Sequence, residues 1–430
     1  MHYLLIFILT LFTATATAAI SPQQQYQNFT DYGNYIIHLG EVELNPEQDL
    51  PEVNALISEY APKPECSVII QKNDKGELIT ARNMELYLSE RPVFLSVATG
   101  GKYRTFGVTY IHDELFPNYK ELLASGKIAD DIKKIIPYFS ADSFNEAGLY
   151  IEANLRNANE ALFNSGLNPD KPQALETSIC LLVAQNAKNV PEALEFLQNS
   201  YNYQSLDGSE SGDYWTIAYS IADSEGNFGI IEIANNEINY LPNAAINANF
   251  FLSPKWAEID PVPQGKSRAD YIKAFIPEVQ SHSILLDYLK PLYASHALTD
   301  VPYAHYNGGK PLFLQADGSP TYDWRGDILE SLLFDENGEL VPTDELQLVT
   351  PAALRFALTD ENFPKVQKYL MQKYNKLMPK VLAFREGRED AARAVPVIGY
   401  TVYSMGVNTT TKEAEVRFWE RDDLRYYHRW

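Results

Sequence analysis

The sequence predicts an α+β fold, and two observations support that prediction. Strand patterns are followed along the chain by helix patterns and then by strand patterns again. The regular strand–helix–strand alternation of a parallel sheet is absent, which favours a layered α+β arrangement. Hydrophobic residues make up 45% of the 430 residues, so the chain has ample material for a large core.

The first predicted element is a β-hairpin that begins at Cys66. Cys66–Ile70 is a short apolar run typical of a buried strand, and Leu78–Ala81 returns as the second strand. Asn73–Gly76, between them, has the composition of a tight turn. The pattern therefore places Cys66 at the outer end of the first strand.

The middle of the chain combines a strand with helices. Leu149–Leu155 alternates apolar and polar side chains, which is the period of a strand. Leu175–Val183 carries apolar residues at helical spacing, and Pro191 opens a further helix that runs through Leu197. The same patterns predict the remaining elements, which are a hairpin of Trp215–Ala222 and Phe228–Ala234, helices over Ser267–Phe275 and Asn362–Leu377, and strands over Val397–Ser404 and Glu413–Trp419.

The first 65 residues differ from the rest of the chain. Residues 3–12 are apolar and Ala16–Ala18 supplies an A-x-A cleavage site, which is the pattern of a secretory signal; a buried N-terminal strand or helix is the alternative. Residues 19–65 are rich in Gln, Pro and acidic residues, and the prolines at their end favour an extended linker. We expect a signal peptide over 1–18, a leader over 19–65 that is removed on maturation, and one domain over 66–430.

Composition and motifs exclude several classes of function. Acidic residues outnumber basic ones by 57 to 35, which disfavours a nucleic-acid surface. The signal pattern leads us to expect an exported protein, periplasmic or secreted, and no later stretch reaches the roughly 20 apolar residues of a membrane span. The seven histidines are scattered singly and no C-x-x-C pair occurs, so a zinc site has little support and we expect no cofactor.

The two cysteines have different contexts. Cys180 lies in a helical apolar stripe and is most simply a core residue, although a disulfide between Cys66 and Cys180 is also open. Cys66 stands directly behind the leader. A cysteine whose own α-amine is freed by cleavage combines a thiol nucleophile with a base of pKa about 8, and it needs no histidine. A buried cysteine at a strand end is the alternative.

The hairpin and the residues after it resemble a known family. Cys66–Ile70, a turn and then Ala81–Glu85 are similar to the opening of the choloylglycine hydrolase (linear amide C–N hydrolase) family of N-terminal nucleophile hydrolases, and also to that of acid ceramidase. The resemblance implies that Arg82 lies beside the nucleophile, where its charge favours the thiolate. It implies that Glu85 holds the α-amine, in a place where the family usually has aspartate.

Two further segments resemble the parts of the family that contain its oxyanion asparagines. Asn145–Asn154 is similar to the family's Asn-Glu-x-Gly-Leu strand, which implies that Asn154 lies near the oxyanion, with Asn157 as the other possibility. The segment around Asn249 is similar to the family's oxyanion-hole element, which implies that Asn249 donates to the oxyanion, with Asn247 as the competing assignment.

A helix start and the C-terminal region complete the resemblance. Gly265–Tyr271 is similar to the family's Ser-x-Arg helix start, and Arg268 matches its second active-site arginine. Tyr400–Trp419 is similar to the bacterial bile-salt and penicillin V hydrolase branch.

The resemblance implies an αββα four-layer sandwich and a self-cleaving cysteine amidohydrolase. It would act on a small-molecule N-acyl amide, such as a conjugated bile salt, penicillin V or an acyl-homoserine lactone. No metal or organic cofactor is implied, and a homo-oligomer, a tetramer as in the family, is expected. An acyltransferase and a catalytically silent binding protein on the same fold are the alternatives.

Overall fold

The structure is a computed structural model, and it describes residues 26–28, 35–60, 65–86, 92–110, 128, 130–158, 168–204, 206–208, 213–234, 236–257, 269, 272–273, 281–289, 400–418 and 421–430. Two large β-sheets and the helices packed on them hold most of these residues, which agrees with the predicted α+β class. In this part of the chain no helix is both long and apolar enough to cross a membrane.

The strands are, in chain order, β1 (Tyr26–Asn28), β2 (Tyr35–Glu43), β3 (Glu65–Lys72), β4 (Leu78–Leu86), β5 (Pro92–Thr99), β6 (Thr105–Tyr110), β7 (Ser140–Asn145), β8 (Tyr150–Ala158), β9 (Gln173–Leu175), β10 (Asn202–Gln204), β11 (Leu206–Gly208), β12 (Asp213–Ala222), β13 (Phe228–Ala234), β14 (Glu237–Pro242), β15 (Ile246–Asn247), β16 (Tyr400–Asn408), β17 (Glu413–Phe418) and β18 (Arg421–Arg429). The α-helices are α1 (Pro46–Tyr60), α2 (Asp130–Ile135), α3 (Ile179–Asn186), α4 (Val190–Ser200), α5 (Pro254–Ala257) and α6 (His282–Leu289). Short 3₁₀ helices cover Ile136–Phe139 and Glu176–Ser178.

The larger sheet, sheet A, has ten strands in the order β1-β2-β5-β6-β7-β8-β12-β13-β14, and β11 pairs with β12. Its strands are antiparallel except for β2 and β5, which run parallel. Sheet B has six antiparallel strands in the order β15-β3-β4-β16-β17-β18. The strands β9 and β10 form a separate parallel pair.

The two predicted hairpins form, and both are closed in the same way. In the β3–β4 hairpin the side chain of Asn73 accepts hydrogen bonds from the backbone of Lys75 and Glu77. In the β12–β13 hairpin Asp223 accepts in the same way from Glu225 and Asn227. Such side-chain acceptors fix a tight turn locally, which is why a short sequence signal suffices to predict it. Glycine at positive φ follows in each turn, as a side chain there would be strained.

Alternation along β8 separates the two faces of sheet A. Ile151 and Ala153 join the core that the sheet shares with helix α3, including Ile179 and Val183. The alternate residues of β8 are polar but equally buried. Since side chains alternate across a strand, the polar set faces away from α3.

Sheet B packs against the polar face of sheet A. Val68 and Leu78 of sheet B share an apolar cluster with Ala222 of β12. On sheet B, helix α6 contacts β4 and β16. Gly406 of β16 permits that contact, because a Cβ there would lie 2.9 Å from the Leu286 side chain of α6.

Most of the other sequence predictions fall within the described residues. The strand over Leu149–Leu155, the helices after Leu175 and around Pro191, and the two C-terminal strands are confirmed with shifted ends. Residues 269 and 272–273 of the helix predicted over Ser267–Phe275 are helical, and the helix over Asn362–Leu377 lies outside the described residues. The division of the chain into signal, leader and domain stays a prediction, but part of the leader, β2 and α1, has a defined place in the fold.

Candidate active site

Cys66 lies near the start of β3, opposite Met84 of β4 and fully buried between the sheets. Cys66 and Cys180 do not form a disulfide with each other. The sulfur of Cys66 lies 3.6 Å from the carbonyl oxygen of Ala153 on β8 and 3.6 Å from Met84 Sδ. The thiol therefore sits at the junction of sheet B with the polar face of sheet A.

Arg82 lies beside this thiol, as the resemblance implies. Its side chain is fully buried, and Nη2 donates to the sulfur of Cys66. Arg82 occupies β4 two residues before Met84, so it projects from the same face of the hairpin as the residue opposite Cys66. A guanidinium in contact with a thiol stabilises the thiolate, which is the nucleophilic form.

Asp142 of β7 holds the arginine from the other side. Arg82 Nη1 donates to Asp142 Oδ2 at 2.9 Å and to the Ala141 carbonyl at 3.0 Å, with both charged side chains completely buried. The hydroxyls of Tyr150 and Tyr403 each donate to Asp142 at 2.5 Å. Burial, followed by the charge of Asp142, raises the pKa of both tyrosines, so they stay neutral donors.

The charges around Arg82 fix its own ionisation. Burial acts to lower the pKa of the guanidinium, but Asp142 and Cys66 outweigh it, and the pKa is raised. The arginine thus remains a cation whichever state the thiol is in. A buried charge of this kind is tolerated because it is paired and hydrogen-bonded.

Glu152 of β8 is a second buried carboxyl group near Arg82. Its Oε2 lies 3.5 Å from Arg82 Nη1 and accepts no hydrogen bond from the described residues, whereas Oε1 accepts from the Ser220 amide at 3.1 Å. Burial raises the pKa of Glu152 to about 7, although Arg82 opposes the rise. One guanidinium therefore faces two carboxyl groups and a thiol, and the raised pKa of Glu152 favours the protonated form of that side chain.

Asn249 reaches the backbone nitrogen of Cys66. The Cys66 N–H donates to Asn249 Oδ1 at 3.0 Å, and Asn249 Nδ2 donates to the Leu155 carbonyl at 3.0 Å. The second bond fixes which end of the amide faces Cys66. The structure thus brings Asn249 to Cys66 with its amide oxygen directed at the Cys66 backbone nitrogen, whereas the resemblance implies its NH₂ group as a donor to the oxyanion.

Asn154 lies on the polar face of β8, next to the residue whose carbonyl contacts Cys66. Its Nδ2 is 3.3 Å from Glu152 Oε1, and its Oδ1 is buried with no hydrogen-bond partner among the described residues. Asn157 pairs through its backbone with Trp215 of β12, and its side chain lies outside the description. Of the two candidate asparagines on β8, Asn154 is therefore the one whose side chain the structure describes, and it lies beside Glu152.

The remaining predicted residues are placed only in part. For Glu85 the structure gives a strand position, opposite Glu65 on β3, and nothing of its side chain. Arg268 lies outside the described residues. Asn247, the competitor of Asn249, bonds instead with buried Arg156 and with Ser220 Oγ, the latter at 2.9 Å. The geometry around Cys66 therefore involves Asn249 and not Asn247.

The sequence predictions omitted the acidic half of the cluster. Tyr150 and Glu152 could have been found from the sequence, because polar residues alternate regularly with apolar ones through this strand. No sequence pattern pointed to Asp142, because its strand, Ser-Ala-Asp-Ser-Phe-Asn, shows no regular alternation of apolar and polar residues. Tyr403 lies in a predicted strand, but no spacing relates it to Cys66. In the described part of the chain no group of three or more His, Cys, Asp or Glu residues could hold a metal ion.

Comparison with known proteins gives structural likeness without sequence support. No family model and no curated protein matches the chain. Among solved structures, two variants of the conjugated bile acid hydrolase from Clostridium perfringens match at 13% and 14% identity, with TM-scores of 0.39 and 0.38, over 85% of this chain and 92% of theirs. Penicillin V acylase from Agrobacterium tumefaciens matches at 11% identity with a TM-score of 0.36, over 82% of this chain and 83% of that one. Likeness of this degree assigns no residue a role, and the inferences below depend on the site itself.

Proposed function

We propose that this protein is an exported cysteine amidohydrolase of the N-terminal nucleophile type, whose active chain begins at Cys66. One observation carries the proposal: the buried Cys66 thiol contacts the guanidinium of Arg82 while its own backbone nitrogen is held by the side chain of Asn249. A nucleophile and the nitrogen that would act as its base are thus oriented by separate partners.

The fold proposed for it is the αββα four-layer sandwich. The packing of α3 on β7 and β8, and of α6 on β4 and β16, supports this arrangement, as does the contact between the sheets at Cys66 and Arg82. In it the reactive thiol lies between the two sheets, where water is largely excluded and the charge of Arg82 acts strongly.

Maturation would use the same thiol as catalysis. The Cys66 sulfur attacks the carbonyl carbon of Glu65, and the peptide bond between them breaks as the nitrogen takes up a proton and becomes the α-amine. Water then hydrolyses the thioester, which releases the Glu65 carboxylate and restores the thiol. Asn249, which already accepts a hydrogen bond from this nitrogen, would orient the new amine.

Substrate hydrolysis would repeat these steps on an external amide. The α-amine takes the thiol proton, directly or through water, and the thiolate attacks the carbonyl of an N-acyl amide with an apolar acyl part. The amine leaves with a proton, and water resolves the acyl-thioester. Asn154, which follows the residue whose carbonyl contacts the Cys66 sulfur, is the candidate to stabilise the oxyanion.

N-terminal sequencing and intact mass of the purified protein test the proposal. The wild type should begin at Cys66, whereas Cys66→Ala should keep the preceding residues. The matched control is Cys180→Ala, which removes the other buried cysteine and should mature normally. An active wild-type sample that still carries the bond between Glu65 and Cys66 would overturn the mechanism.

A panel of N-acyl amides then tests the activity. Conjugated bile salts, penicillin V, acyl-homoserine lactones and N-acylethanolamines should be compared by release of the amine, with Cys66→Ala as the blank. Binding without turnover in wild type and variant alike would indicate a silent binding protein. Transfer of the acyl group to an added amine, in place of water, would indicate an acyltransferase.

A further inference from the structure

A second group of buried polar and charged side chains lies on the polar face of sheet A, beyond Asn154. Arg156 follows Asn154 by two residues on β8, so the two side chains share that face, and Arg156 is completely buried. The reaction steps proposed above make no use of this arginine. A buried guanidinium is costly unless its charge is compensated and its N–H groups are hydrogen-bonded, so the groups that hold it indicate what it does.

Arg156 joins β8 to the short strand β15. Its Nη2 donates to Asn247 Oδ1, and its Nη1 donates to the Leu155 carbonyl at 3.0 Å. Asn247 Nδ2 donates in turn to Ser220 Oγ of β12 at 2.9 Å. The side chain of Asn247 is therefore held at both ends by residues of sheet A, although Asn247 itself belongs to sheet B.

The carbonyl group that binds Arg156 also binds Asn249. The Leu155 oxygen accepts from Asn249 Nδ2 at 3.0 Å as well as from Arg156 Nη1, and Asn249 Oδ1 accepts from Cys66 N–H at 3.0 Å. Arg156 thus fixes the residue two positions before Asn249 and shares an acceptor with Asn249. Because hydrogen bonds weaken steeply as their angle worsens, a shift of this segment would weaken the hold on the Cys66 nitrogen.

Glu232 of β13 holds the chain on the other side of Asn249. Its two carboxyl oxygens accept from the backbone N–H groups of Leu252, at 2.6 Å, and Ser253, at 3.1 Å. Burial raises the pKa of Glu232, and the charge of Arg156 acts against that rise. The two buried side chains therefore support each other electrostatically while each binds one end of the segment that contains Asn249.

We propose that Arg156 and Glu232 are positioning residues of the reaction, which fix residues 247–253 from both ends and thereby hold the Asn249 amide against the Cys66 nitrogen. The inference rests on the proposed function, in which that nitrogen becomes the base. Neither side chain needs to touch the substrate. Their loss should lower the rate of maturation and the kcat of hydrolysis while KM stays nearly unchanged, since a displacement of about 1 Å at a reacting group costs up to about 10²-fold in rate.

A double-mutant cycle between Arg156 and Asn249 tests the inference. Cleavage before Cys66 is timed by intact mass in the full chain. Arg156→Met should slow this cleavage about tenfold when Asn249 is present. In an Asn249→Ala background the same substitution should change the rate less than about twofold, because the side chain through which Arg156 acts is gone. Equal slowing in both backgrounds would indicate a merely structural arginine and would overturn the inference.

Arg417→Met is the matched control. Arg417 is also a buried arginine that binds carboxylates, but its partners Glu415 and Asp287 lie on β17 and α6. This substitution should lower the midpoint of urea denaturation and leave the cleavage rate unchanged. Slowing as large as that of Arg156→Met would show that the loss of any buried arginine slows cleavage, which would also overturn the inference.

Two conservative variants decide the question if Arg156→Met does not fold. Arg156→Lys keeps the charge but loses the planar fork that reaches two acceptors, and Glu232→Gln keeps one acceptor for two backbone donors. Each should slow cleavage about threefold. Cleavage at the wild-type rate in both variants would overturn the inference and leave the proposed function standing. An active wild-type sample with an intact bond between Glu65 and Cys66 would overturn both.

Discussion

Glu152 should make the stability of the fold depend on pH, with a sign that its surroundings determine. Burial raises its pKa from 4.5 to about 7. Between these values the folded chain holds a proton on Glu152 that the unfolded chain has lost. Stability should therefore fall as the pH rises through this window, and the contribution of Glu152 should be fully lost above pH 7.

The gap between a pKa of 4.5 and one of about 7 corresponds to about 3 kcal/mol. Glu152→Gln replaces the carboxyl group with a neutral group of similar shape. Relative to the parent, the variant should be about 3 kcal/mol more stable at pH 8 and nearly unchanged at pH 4. The variant keeps a side chain able to interact with Ser220 and Asn154, so little else should change.

Urea denaturation at pH 4, 6 and 8 measures the difference. Both proteins should carry Cys66→Ala, so that no cleavage occurs and each unfolds as a single chain. Glu195→Gln, which removes an exposed carboxyl group on α4, is the matched control for a Glu-to-Gln change away from the cluster. The reasoning is refuted if the gain from Glu152→Gln is the same at pH 4 and pH 8, or if the variant is the less stable protein at pH 8.

Three further substitutions test other parts of the site and the fold. Tyr403→Phe removes a buried hydrogen bond to Asp142 and should cost about 2 kcal/mol in urea denaturation; an unchanged midpoint would contradict it. Asn249→Ala removes the acceptor of the Cys66 nitrogen and should slow maturation about 10²-fold on a time course of gel samples, and cleavage at the wild-type rate would exclude a positioning role. Gly406→Ala forces a methyl group against α6 and should cost about 1–3 kcal/mol in thermal unfolding, whereas an unaltered transition would show that the helix yields freely.

The elements that the sequence predicted are those whose pattern is local. The hairpins around Asn73 and Asp223 have an apolar run, a turn residue that binds its own backbone, and a return run. Strand β7 was missed for the opposite reason: its residues are buried but polar, because one face meets the ion cluster. Strand β2 was missed because it lies in a segment whose acidic and Pro-rich composition hides a nine-residue strand.

The same distinction explains the site. Cys66 and Arg82 lie on the two strands of one hairpin, so their spacing in the sequence determines their neighbourhood once the register pairs Cys66 with Met84. Tyr403 lies on β16, which pairs with β4 although it is distant in the sequence, and Asp142 lies on β7 of sheet A, so that the stacking of the sheets brings it to Arg82. Spacing in the sequence predicts contacts within one hairpin, but it does not predict contacts between strands that are distant in the chain.

For Asn249, the sequence predicted an asparagine near Cys66, but it did not predict which end of the amide group would face Cys66. An asparagine carries both a donor and an acceptor, so the sequence cannot say which end will face the nucleophile. The Leu155 carbonyl takes the NH₂ group, which leaves the oxygen for Cys66 N–H. That arrangement suits a group that would hold the Cys66 nitrogen before and after the proposed cleavage. A donor for the oxyanion must then be sought among the other groups that face the sulfur, on the polar side of β8 where Asn154 lies beside Glu152.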